Sequence, residues 1–128
     1  MRRILITILL LLTFGFANAQ KVSEVVNGDL RICDLDRNNY TSNCTTVSSS
    51  VKYADISDDR IAILYNVGKL KLCNVDNNNY TENCSTLESS GVSRVTLIGS
   101  LIIIEYTNGN KKRCNFDDNN YTNNCYHQ

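Results

Sequence analysis

Three segments decide the fold: CDLDRNNYTSNC from Cys33 to Cys44, CNVDNNNYTENC from Cys73 to Cys84, and CNFDDNNYTNNC from Cys114 to Cys125. Their first cysteines stand 40 and 41 residues apart, so the chain behind its leader is one unit written about three times. In every copy the third position is apolar (Leu35, Val75, Phe116) and the middle is rich in Asp and Asn. A Tyr-Thr pair then opens the return: Tyr40-Thr41, Tyr80-Thr81, Tyr121-Thr122. Asn and Asp suit a turn because they tolerate left-handed backbone and bond nearby amides. Tyr and Thr suit strands. Each bracket therefore reads as a hairpin.

The same symmetry sets a register. With Cys33 facing Cys44, the hairpin is centred between Asn38 and Asn39, and its equivalents at Asn78-Asn79 and Asn119-Asn120. A cross-strand disulfide needs Cβ atoms only ~3.8 Å apart, which favours a four-residue loop from Arg37 to Tyr40, or a bulge, over a two-residue turn.

Working outward, each bracket is entered from the second arm of another hairpin. Asn27-Gly28 and Asn108-Gly109 carry the residues of a type I′ turn, and Gly68 follows Asn66-Val67 in the middle copy. Downstream of the first two brackets a polar bridge leads into one more strand, Val51 to Ile56 and Arg94 to Ile98. These strands turn back at Ser57-Asp58-Asp59 and Gly99-Ser100. The expected fold class is all-β, with about three four-stranded antiparallel meanders, each stapled by a disulfide. No segment behind the leader shows a helical period.

The leader is residues 1–19. Arg2 and Arg3 precede an apolar run from Ile4 to Phe16, and Ala17-Asn18-Ala19 is a small-x-small cleavage pattern. The run is shorter than the ~20 residues a spanning helix needs, so it reads as a signal peptide. The β-repeat domain is then 20–128, with an incomplete first repeat at 20–47, a second at 48–87 and a third at 88–128.

That domain holds 11 Lys and Arg against 13 Asp and Glu, a balance that points to neither nucleic acid nor an anionic membrane as partner. All six cysteines lie in the three brackets. Secretion takes them to an oxidising compartment, where they read as a disulfide framework pairing Cys33 with Cys44, Cys73 with Cys84 and Cys114 with Cys125. Zinc is the rival use. It favours closely spaced cysteine pairs or cysteine with histidine, whereas ten residues separate each pair here and His127 is the sole histidine.

A period near forty with four strands per unit resembles β-propeller blades. The second unit, VKYADISDDRIAILYNVGKLKLCNVDNNNYTENCSTL, is similar to blades of the WD40, kelch and lactonase-like kind, and to secreted propellers whose outer hairpin carries a Cys-x10-Cys pair. The Trp-Asp, Gly-His and double-glycine motifs of those families are missing. The resemblance implies blades, and closed propellers typically need about four to eight of them. Three units leave open sheet ends that another chain can extend.

Candidate site residues follow from the repeat. N-x-S/T at Asn39, Asn43, Asn79, Asn83 and Asn120 marks candidate glycosylation sites. Tyr40, Tyr80 and Tyr121 are candidates for stacking on sugars, although a residue repeated in every unit is more often part of the unit's core. Alternating Asp34, Asp36 and Asn38 mimic the start of a calcium loop, but the glycine and glutamate such a loop requires are replaced by Asn39 and Thr45. Turn formation is the simpler role, and neither metal nor cofactor is expected. No nucleophile motif is present, so no catalytic residue is assigned. The sequence reads as a secreted, non-enzymatic building block of a fibre, coat or surface layer that self-associates through its open repeat ends. The alternative is a subunit of a carbohydrate-binding propeller lectin that closes a ring by oligomerising.

Overall fold

Arg60 to Tyr65 reads RIAILY, an apolar run without polar alternation. A strand with that pattern must be covered on both faces. In the computed structural model, which describes residues 20–128, it is the second strand of a central four-stranded sheet. Ile61 and Ile63 point to one neighbouring sheet, and Ala62 and Leu64 point to the other.

The described residues form three antiparallel meanders and no helix. The first sheet comprises β1 (Gln20–Val26), β2 (Asp29–Leu35) and β3 (Thr41–Ser48). The second comprises β4 (Val51–Ser57), β5 (Arg60–Tyr65), β6 (Leu70–Val75) and β7 (Thr81–Glu88). The third comprises β8 (Val92–Ile98), β9 (Leu101–Tyr106), β10 (Lys111–Phe116) and β11 (Thr122–His127). β1 occupies the place of β5 and β9, so among the described residues the first sheet has no counterpart of β4 and β8 and no strand pairs with the outer edge of β1. The expected signal peptide lies outside the described residues.

Two hydrophobic clusters join the sheets face to face. Leu30 and Ile32 of the first sheet pack with Val51, Ile61, Ile63, Cys73 and Val75 of the second. On its other side, Ala62, Leu64, Leu70 and Leu72 pack with Val92, Val95, Leu97, Ile102, Ile104 and Cys114 of the third. Each fully buried Leu or Ile contributes about 1.5–3 kcal/mol relative to exposure. Neither cluster joins the first sheet to the third, so the array is open.

The turns largely follow the residue chemistry. Asn27 and Gly28 both have positive φ, 54° and 84°, and close a two-residue hairpin with Val26 opposite Asp29, as expected for type I′. Asn108-Gly109 departs from that expectation. Only Gly109 has positive φ, the loop from Thr107 to Asn110 is longer, and the Asn108 side chain accepts a bond from the Asn110 amide instead. The Gly68 turn has the same form, and a Cβ there would sit 2.8 Å from the Gly91 amide nitrogen, at the junction with the third sheet.

All three disulfides form as paired by the repeat: Cys33–Cys44, Cys73–Cys84 and Cys114–Cys125, each with Cα atoms 4.1 Å apart. The hairpin between them has a five-residue loop (residues 36–40, 76–80 and 117–121) rather than four, together with a bulge beside the disulfide. The residue before each second cysteine (Asn43, Asn83, Asn124) takes left-handed φ of 51–53°, which sets that cysteine back into reach.

Candidate functional site

The loops of the bracketed hairpins are the chain's most repeated feature, and they turn out to be connectors. Asp76 Oδ1 accepts from the amides of Asn78 and Tyr80, both at 2.9 Å. Asp36 and Asp117 do the same in their own loops. These bonds hold the last asparagine of each loop at φ of 66–69°. Thus Asp36, one of the acidic residues that mimic a calcium loop, serves the turn.

What the held asparagine does depends on the unit. Asn79 is fully buried against the first sheet. Its amide donates to Asp34 Oδ1 at 3.1 Å and to the Asn43 carbonyl at 2.8 Å, and its oxygen accepts from Lys21 at 2.6 Å. Asn120 is buried against the second sheet in the same way. It donates to Asn74 Oδ1 at 2.9 Å and the Asn83 carbonyl at 2.8 Å, and accepts from Arg60 at 3.1 Å. Each turn is a plug and the preceding hairpin its socket. Thr45 and Ser85 add a hydroxyl bond to the Asn78 and Asn119 carbonyls. Asn39, the plug of the first unit, is exposed.

In the first socket a hydrogen bond from Asn43, with further help from Lys21 and Asn79, outweighs partial burial and holds the Asp34 carboxyl below its ordinary pKa of 3.8. At the far end of the sheets a second set of polar contacts spans each joint. Ser48 meets the Tyr65 hydroxyl at 2.9 Å between the first and second sheets. Between the second and third, Glu88 accepts from Tyr106 at 2.5 Å and from Lys112 at 3.0 Å. Partial burial and the bond to Glu88 push the Tyr106 phenol above its ordinary 10.0. For Lys112, burial pulls down, but the bonds with Glu88 and Tyr106 prevail and the pKa lies above 10.5.

The other sequence-predicted residues separate along this division. Asn39, Asn43 and Asn83 are exposed. Asn79 and Asn120 have no room for a sugar in the folded chain, because both are fully buried and both amide hydrogens are donated. Tyr40, Tyr80 and Tyr121 are 72%, 57% and 63% exposed, so the expectation that their repetition marks the core is corrected. Their amides tie the loop and their rings face solvent. Sequence reasoning missed Lys21 and Arg60 as socket cations. The signal was their common position, opposite Asp34 and Asn74 in the strand pairing.

No protein-family model matches this sequence, and no curated protein matches it. Among solved structures it is similar to human WBSCR16, with a TM-score of 0.55 and 13% identity over 77% of this chain. The match spans 34% of that protein's chain, about a third of its length. The likeness is one of fold: repeated all-β meander sheets. Three disulfides accord with an extracellular or secreted protein.

Proposed function

We propose that this protein is a secreted, non-enzymatic building block that self-associates through the open ends of its repeat array. The observation that carries the reading is the open stack. Among the described residues the central sheet is covered on both faces, whereas each terminal sheet is covered on one, and the β1 edge lacks the strand that completes the other two sheets. Propeller-type packing continues when a further sheet is added, and another copy of this chain can supply one. Light scattering with negative-stain electron microscopy on the secreted, oxidised protein tests this. Filaments, sheets or large assemblies support it, and a monomer at all concentrations refutes it.

A second reading, a lectin subunit closing a ring, draws on the three exposed tyrosines and on a recess of about 520 Å³ lined by Lys52, Tyr53, Ser93, Arg94 and Glu105. Tyrosine rings beside polar groups suit sugar faces. A small closed oligomer eluted from a glycan column by free sugar would favour it over the fibre or coat.

A further inference from the structure

The two outward faces of the array differ from the inward ones at matched positions. The third sheet's outer face carries Glu105, Lys111 and Arg113 where the second sheet buries Leu64, Leu70 and Leu72 against its neighbour. The first sheet's outer face carries Glu24 where the second sheet buries Ile63 against Leu30 and Ile32. Leu30 and Ile32 are in turn the counterparts of Lys111 and Arg113. Laying the first sheet of one copy on the third sheet of another, in the manner of the internal joints, therefore sets Glu24, paired in its own sheet with Arg31, against Lys111 and Arg113, with Glu105 beside them. Apolar contact inside the chain becomes charged contact between chains. Such faces leave a free chain soluble and still select their partner.

The plug and socket show the same match. Asn39 is held at φ 66° by the same loop as Asn79 and Asn120, but is exposed. At the far end of the array lies a recess of about 410 Å³ lined by Leu101, Arg113, Asn115, Asn124, Tyr126 and His127. Asn115 stands where Asp34 and Asn74 receive a plug, and Asn124 is the counterpart of Asn43 and Asn83, whose carbonyls do so. Leu101 replaces the cations Lys21 and Arg60, and Arg113 brings a guanidinium into the same recess. The side-chain acceptor and the carbonyl that grip Asn79 and Asn120 thus have their counterparts there, and Arg113 offers a cation from a neighbouring position.

We infer that the loop bearing Asn39 docks into the Asn115–Asn124 recess of a second copy, repeating between chains the interlock that joins units within one. This rests on the self-association reading and names its joint. The interface is head-to-tail, so each copy offers one plug and one socket.

Two one-sided variants test it. Asn39→Gly removes the plug while tolerating the positive φ, and Arg113→Glu reverses the charge of the socket. Each alone is expected to weaken self-association at least about tenfold, the scale of a lost bond to a charged or buried partner, with thermal unfolding close to that of the wild type. Mixed one to one, they should form a discrete dimer in sedimentation, through the one intact plug and the one intact socket, and that dimer should dissociate as salt is raised. Wild-type assembly that Asn39→Gly leaves unchanged would overturn the joint and spare the self-association reading. Absence of the mixed dimer would overturn head-to-tail docking. A wild-type monomer would overturn both.

Discussion

The two internal joints are built on one plan and carry their carboxylate at opposite ends. Between the first and second sheets the ionised groups sit in the socket, where Lys21 and Asp34 grip Asn79, and the far end closes with the neutral Ser48–Tyr65 contact. Between the second and third sheets the carboxylate sits at the far end, with Glu88 holding Tyr106 and Lys112, while Asn74 takes the place of Asp34 in the socket. The apolar cluster is common to both. Burial therefore supplies the bulk of the adhesion, while the polar contacts fix the position of one sheet on the next and tolerate exchange of a charge for an amide.

The largest expected separation between the joints comes from the plugs. Asn79→Asp removes two donors and sets a carboxylate against Asp34, for an expected loss of about 3 kcal/mol. Asn120→Asp should cost about half as much, because the Asn74 amide can turn to donate where Asp34 cannot. Urea unfolding with disulfides intact measures both; equal losses would show that socket charge is irrelevant.

Next come the far-end hydroxyls. Tyr106→Phe deletes a bond to a carboxylate and should lower stability by about 1.5 kcal/mol, against about 0.5–1 kcal/mol for Tyr65→Phe, whose partner is the Ser48 hydroxyl. Thermal unfolding of the two variants decides the order.

The smallest effect is on pH, and it has opposite sign at the two joints. Asp34 has a depressed pKa, so its contribution is present above its ordinary value of 3.8 and is lost as pH falls through its lower folded value. Lys112 and Tyr106 have raised values, so theirs is present below about 10 and lost as pH rises through the folded values. Acid should loosen the first joint and alkali the second. The urea midpoint of Asp34→Asn, which copies the Asn74 socket, should fall less than that of the wild type between about pH 5 and pH 2; parallel curves would remove Asp34 as the cause.

Much of this was legible because repetition reports on local rules. Three copies of a bracket fix the disulfide pairing, since each pair needs only its own hairpin to bring the sulfurs together. The Asn27-Gly28 turn and the meander order are likewise short-range, set by φ tolerance and strand alternation. The Asn108-Gly109 turn was less so. Its side chain found a better local bond than the dipeptide's usual form offers.

The roles of the loop residues were not local. Nothing in NNYT distinguishes Asn39, which faces solvent, from Asn79 and Asn120, which are fully buried, because the difference lies in whether a preceding sheet stands beside the loop. Tyr40, Tyr80 and Tyr121 repeat as core residues do, yet lie outside; beside Tyr80 and Tyr121 it is the plug that takes the buried place. The sequence by itself determined the unit, its staples and its turns, all closed by contacts within about forty residues. Only the tertiary structure decided which asparagine is a plug, which carboxylate a socket wall and which face remains open. Those roles arise from contacts 36 to 60 residues apart, between units that the sequence writes almost alike.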